Sequence, residues 1–295
     1  MPRERAKVNH TANKRAKQSY RFEAPEAIKE AGDVRFFMPP PDAERFWVDL
    51  TNLRWISPIG IVGMLALARK AESLGLSETT ISTPADAVVT GYLTRVGFFD
   101  ALEEIGAAVE DALKSGEHGE PIRPCLPATH VRSEIEMERA ANSLEEVLVE
   151  AGAHPHTLHA VYLVTTEVTN NAWQHGSECY VLAQTHSGQS SGTPGVHIAI
   201  ADFGPGFKAS LSARYPVETE VEAIVKACEE GVSSTGDPRR GLGLWHVLDA
   251  VDRHPGATLS IVSHDGWLER SNSDFRLRQG PLCSGVFVTA YFPFD

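Results

Sequence analysis

The stretch from His156 to His175 constrains the fold most, because it sets polar groups into a segment that otherwise reads as buried helix. Val161, Leu163 and Val164 are followed at once by Glu167 and Asn171. Four residues apart, these two share one face of a helix. A carboxylate can take a proton from water or a hydroxyl, and an amide oxygen can ligate Mg²⁺. Polar pairs at this spacing are commonly just a solvated helix face. On a largely apolar helix, however, a buried carboxylate or amide needs a partner, since an unpaired one is costly. The fold must therefore bring something polar, from the protein or from a ligand, to this face.

Three further segments fit that requirement. Val196 to Ala201 is an apolar strand that runs into Asp202, Gly204 and Gly206. It places one carboxylate at a pocket edge, with glycines that let backbone approach a flat ligand closely. An acceptor-only carboxylate suits an exocyclic amine such as that of adenine. An Asp-started turn between two elements is the plain alternative. Arg239, Arg240, Gly241 and Gly243 lead into a helical stretch, Leu244 to Val251. Backbone N–H groups and the helix dipole suit phosphate there, and the arginines add charged donors. Glycines at helix starts also serve purely structural ends. Ser284-Gly285-Val286 opens a closing strand that ends at Pro293.

In this order and spacing the four segments resemble the N, G1, G2 and final Gly boxes of the GHKL ATP-binding fold of gyrases, heat-shock chaperones, histidine kinases and mismatch-repair proteins. The resemblance spans about residues 130–295. It implies ATP and Mg²⁺ as cofactors, with Glu167 as general base and Asn171 as metal ligand. It further implies that Asp202 reads adenine, that Gly204 and Gly206 shape its pocket, and that Gly241 and Gly243 face the phosphates behind a mobile lid over about 207–240. His175 stands where kinases of the anti-sigma factor type also carry a histidine. One departure is Val286, where the family often has Thr. No G-x-x-x-x-G-K-[ST] occurs, which excludes a P-loop, and Gly204-Pro-Gly206 lacks the third glycine of a dinucleotide fingerprint.

In the first half, Val34 to Met38, Phe46 to Leu50 and Thr79 to Ser82 read as short strands, with helices over Ile59 to Ala71 and Asp86 to Val96. Alternating strands and helices suggest a small α/β layer. Val48 to Gly60, ending in Ser57-Pro58-Ile59-Gly60, and later Thr94 to Asp100 with Gly97 give residues 33–110 a pattern that resembles a STAS domain, the fold of anti-sigma factor antagonists. The family's acceptor serine aligns with Pro58, which has no hydroxyl. Ser57 beside it reads better as a cap for the following helix. The fold class expected is therefore α/β: a STAS-like α/β module, then a GHKL α/β sandwich with a mixed sheet covered by helices on one face. The boundaries expected are a disordered basic tail (1–24), the STAS-like domain with its linker (25–125) and the ATP-binding domain (126–295). The linker is the Gly- and Pro-rich stretch 115–127.

Charge and cysteines limit the function classes. The chain is 295 residues with a net charge of −12, which argues against broad nucleic-acid or anionic-membrane binding. Residues 1–24 hold seven basic against two acidic residues, so nucleic acid is expected at most through this tail. No run of 18 apolar residues and no secretory signal occurs. The four cysteines are widely spaced, which fits reduced thiols in a cytoplasmic protein.

The expected function is an ATP-binding signalling protein, a serine/threonine kinase or ATPase of bacterial partner-switching regulation, with another signalling protein such as a sigma regulator as partner. A homodimer stays open. The alternative is a nucleotide-gated interaction module without useful catalysis. No transducer domain is expected after Asp295, and Glu134 to Glu150 contains no histidine, so neither a gyrase-like machine nor histidine autophosphorylation is expected.

Overall fold

The computed structural model describes residues 18–37, 43–75, 78–110, 124–175, 177–186, 193–233, 243–271, 274–280 and 282–294. In the first half, β1 (Gln18–Glu23), β2 (Ala27–Ile28) and a 3-10 helix (Ala31–Phe37) precede β3 (Ala43–Asp49) and β4 (Trp55–Ile56). Helix α1 (Pro58–Ser73), β5 (Glu78–Ser82), α2 (Ala87–Arg95), α3 (Phe98–Ile105) and β6 (Ala108–Glu110) complete it. The second half holds β7 (Pro124–Val131), α4 (Glu134–Glu150), α5 (Pro155–Gln174), β8 (Cys179–His186) and β9 (Gly195–Asp202). It continues through α6 (Gly206–Leu211), α7 (Glu220–Ala227), α8 (Gly243–Asp252), β10 (Thr258–Ser263), β11 (Gly266–Ser271), β12 (Asp274–Gln279) and β13 (Val286–Pro293).

Strands β1, β3, β5 and β6 form one sheet in the order β1-β3-β5-β6, with every pairing parallel. Along β3 the side chains alternate: Phe46 and Val48 are buried, while Arg45 and Trp47 face solvent. The second sheet has the order β12-β11-β10-β13-β9-β8-β7. Its pairings are antiparallel throughout rather than mixed. The α/β architecture expected of both halves is met.

Helix α1 joins the two sheets. Ser57 caps it, its hydroxyl accepting the Gly60 N–H at 3.2 Å, and Pro58 supplies the preset φ of a first turn. Twelve of its sixteen residues are buried, all round the helix, as befits an element with apolar neighbours on every side. Met64 and Ala68 meet Phe46, Val48 and Ile81 of the parallel sheet. On another side α1 packs against β8, β9 and β13. A Cβ on Gly63 would lie 2.9 Å from the Phe287 ring and 3.0 Å from Val34, so the close approach depends on glycine. One continuous core thus holds Leu65, Phe98 and Leu102 together with Tyr180, Leu182, Val262 and Phe287 of the seven-stranded sheet. Helices α4, α5, α7 and α8 cover the opposite face of that sheet in a second core with Leu144, Val164, Val181, Ile261 and Phe292. The sheet is therefore covered on both faces, by its own helices on one and by the first half on the other.

Four expectations change in detail. Residues 18–23, assigned to the tail, form β1, and the remainder of the tail, 1–17, lies outside the described residues. Met38 lies outside the described residues, and the strand expected over Val34 to Met38 is replaced, as far as Phe37, by the 3-10 helix. There the Asp33 carboxylate accepts the N–H groups of Lys29 and Glu30 at 2.7 and 3.0 Å and winds the chain tightly. Ile135, which helical spacing sets near one face of α4 with Ala140, Leu144 and Leu148, is 61% exposed while those three are buried. Finally, the first part of the stretch 207–240, expected as a lid, holds regular structure. Helices α6 and α7 occupy its first part, α7 opening on a reciprocal Thr219–Glu222 capping box and burying Ala223 and Ile224. Residues 234–240, like linker residues 115–123, lie outside the described residues.

Candidate functional site

Helix α5 supplies three of the expected residues. Its buried side, from Thr157 through Val161, Val164 and Val168 to Ala172, packs into the second core and fixes the rotation of the helix. That rotation leaves Glu167 and Asn171 half-buried on the adjoining face, with His175 at the C-terminal cap. Asn171 and His175 line a cleft together with Asp202, Gly204 and Gly206. Val168, Phe207, Leu244, Val286 and Val288 add apolar walls. A pocket of apolar walls with a few convergent polar groups has the make-up of a small-molecule site.

Asp202 ends β9 inside this cleft. Its Oδ1 accepts the N–H of Gly204 at 2.7 Å and that of Val286 at 3.1 Å. Among the described residues Oδ2 has no hydrogen-bond partner, which leaves an acceptor for a ligand. Burial raises the carboxyl to about 6, opposed by those two N–H groups and by the nearby charges of Lys70 and His264. Val286 contributes its backbone N–H to Asp202, while its side chain lacks the hydroxyl that a Thr would offer.

Gly285, just before it, has φ +108°, and a Cβ there would lie 2.0 Å from the Asp202 carbonyl oxygen. Only glycine fits that turn. Gly206, at φ +82°, is packed against the His264 ring, where a Cβ would lie 2.4 Å from Cδ2. Ser263 Oγ accepts the Phe207 N–H at 3.2 Å and donates to Glu220 Oε2 at 2.8 Å, tying the Asp202–Phe207 turn to β10 and α7.

Glu167 faces another neighbour. A Cβ on Gly243, the first residue of α8, would lie 2.6 Å from its Oε2, so the carboxylate rests against the helix start. Burial raises the Glu167 carboxyl above the ordinary range, with His246 of α8 opposing this. Among the described residues no hydrogen-bond donor meets the side chains of Glu167 or Asn171. These two, Asp202, Gly204, Gly206 and Gly243 are thus gathered around one cleft and its rim. Arg239, Arg240 and Gly241 lie outside the described residues.

Some contributors carry no sequence signal of their own. Ser177, Ser210 and Phe207 line the cleft from loops and a short helix, and Lys70 approaches Asp202 from the first half of the chain. Nothing local in the α1 sequence marks a lysine as the neighbour of an aspartate 132 positions later.

Residues 131–259 match the family model described as a histidine kinase-like ATPase domain. This part of the chain is similar to that class, and the matched span takes in Glu167, Asn171, Asp202 and Gly243 while stopping short of Gly285. Searches of curated proteins and of solved structures found no match. Among the described residues no helix is long and apolar enough to cross a membrane, and Cys125, Cys179, Cys228 and Cys283 are all buried and form no disulfide.

Proposed function

We propose that residues 126–295 bind Mg-ATP in this cleft and transfer or hydrolyse its γ-phosphate, as a cytoplasmic GHKL-type kinase or ATPase of partner-switching signalling. The observation that supports this best is Asp202: an enclosed carboxylate with one oxygen held by two backbone donors and the other left for a ligand. Adenine fits such a site, since it offers a flat apolar face to Val168, Leu244, Val286 and Val288 and an exocyclic amine to the carboxylate. The triphosphate would then run toward Gly243 and Glu167.

Among the described residues no group of three His, Cys, Asp or Glu side chains could cage a metal. That suits Mg²⁺ held by one amide, Asn171, together with phosphate oxygens. When bound, Mg²⁺ neutralises negative charge on the transferring phosphoryl group. Glu167, on the same face of α5 one turn earlier, takes the proton from a Ser/Thr hydroxyl or from water. Its raised pKa brings a carboxylate closer to the range in which a general base works at neutral pH.

The phosphoryl acceptor belongs to another protein in this reading. Ser57, the hydroxyl nearest the STAS-like acceptor position, is 5% exposed and occupied in capping α1. The same observation gives weight to a second reading, in which ATP gates a binding surface without useful turnover and the STAS-like half serves as that surface. Mg-ATP labelled on the γ-phosphate separates the two. Label moving to a protein in host lysate, lost in Glu167→Gln, establishes a kinase. Label released as free phosphate and lost in the same variant establishes an ATPase. ATP bound with no turnover of either kind removes the catalytic reading and keeps the gated one.

A further inference from the structure

The last turns of α1 carry two cations on an otherwise apolar helix, and both reach across to the second half. The Lys70 ammonium donates to Ser284 Oγ. Ser284 directly precedes Gly285 and Val286, the turn whose N–H holds Asp202 Oδ1. One residue earlier, Arg69 Nε donates to Glu178 Oε2 at 3.0 Å, and the same oxygen meets His130 Nε2 at 2.9 Å. Glu178 adjoins Ser177, part of the cleft wall. Neither contact arises within the second half alone.

We infer that Lys70 is a positioning residue of the nucleotide site, supplied by the first half of the chain to hold the Ser284–Val286 turn against Asp202. This inference rests on the nucleotide reading of the cleft. A half-buried lysine has to find compensation, and burial does lower its ammonium, with the charge of Asp202 opposing. The effect is mutual: the ammonium favours the ionised Asp202, the form that accepts an amine. Other groups face Asp202 as well. His264 lies in the β10–β11 turn, Cys179 stands opposite in register on β8 and beside Glu178, and His175 lines the same cleft from the end of α5. Lys70 is the only one of these contributed by the first half. The site would then be incomplete without a residue from the far end of the sequence, and any shift of α1 would be felt at the base-reading carboxylate.

The test follows Asp202 twice in the full chain. Its carboxyl titration is recorded by ¹³C NMR without nucleotide, assigned by its absence in Asp202→Asn, for the wild type, Lys70→Met and Lys70→Arg. The affinity for Mg-ATP is then measured across the same pH range for the wild type and both Lys70 variants. The expected result is a midpoint raised by roughly one pH unit in Lys70→Met, an affinity weakened about twofold at that midpoint and approaching tenfold a unit or more below the wild-type one, and recovery of most of both in Lys70→Arg. A thermal melt shows whether Lys70→Met is folded, and removing a half-buried charge should leave it so. An Asp202 midpoint unchanged in Lys70→Met overturns the inference, as does an affinity that falls equally at all pH values and is not recovered by arginine. A wild type that shows the coupled titration yet binds no Mg-ATP sinks the nucleotide reading instead, leaving the Lys70–Asp202 coupling standing.

Discussion

Replacing Asp202 by Asn should weaken the proposed site while relieving the fold of a burden that depends on pH. The carboxyl titrates at about 6 against an ordinary 3.8, chiefly because it is buried. At 1.36 kcal/mol per pH unit, that gap is about 3 kcal/mol. The sign follows from proton uptake: between pH 4 and 6 the folded chain binds more protons at Asp202 than the unfolded one, so this group lowers stability as pH rises through the window. Asn keeps the carbonyl oxygen that Gly204 and Val286 need and carries no charge.

Relative to the wild type, Asp202→Asn should therefore gain up to about 3 kcal/mol between pH 4 and pH 7.5, whatever fixed offset its new amide introduces. For a chain of this size that corresponds to a relative rise in Tm of roughly 6–10 °C. Thermal melts of both proteins at half-unit pH intervals read this directly, because every other carboxylate titrates in both and cancels. Parallel Tm–pH curves would refute the reasoning. Mg-ATP affinity should be lost in the variant throughout, since a donor replaces the acceptor that meets the adenine amine.

Other consequences are accessible to the same preparations. Glu167→Gln should lower turnover by about 10²–10⁴-fold with ATP affinity nearly intact, as single-turnover assays would show. In the wild type, turnover should rise with pH beyond the ordinary carboxylate range, because burial holds Glu167 protonated longer. A flat profile would remove Glu167 as the base. Gly243→Ala should displace the Glu167 carboxylate, whose oxygen stands 2.6 Å from the added methyl, and depress kcat with little change in Tm. Gly285→Ala combines a positive φ with a 2.0 Å approach to backbone and should cost about 3 kcal/mol or more, visible as a fall in the midpoint of urea unfolding.

The second half was legible because its chemistry and its periodicity reinforce each other. Glu167 and Asn171 sit four apart on a helix whose buried side is largely apolar, and Asp202 terminates a strand whose apolar run is interrupted only by His197. Both placements depend on local pattern, and both are met in the fold. Strands β11 and β12 escaped notice because Glu269, Arg270, Arg276 and Arg278 dilute their apolar content, and β12 is an edge strand exposed along its whole length. The 3-10 helix at Ala31–Phe37 mimics a strand in composition and is decided by one side chain, Asp33. What α1 would touch was not legible at all. Its uniform apolarity shows that it is buried, but a uniform surface has no face to say which sheet lies on which side. The Lys70–Ser284 contact is a product of that tertiary choice.

The burial of α1 has a mechanical consequence. Its sixteen residues form a wall common to two sheets, and the core on the first-half side runs through it without a break. A partner that pulled α1 aside would uncover Phe287, Val262 and Tyr180 together with Phe46 and Val48, so neither half can be loosened without exposing the other. The two halves should melt in a single step, and information passing between them needs no hinge: it travels as strain in one shared beam.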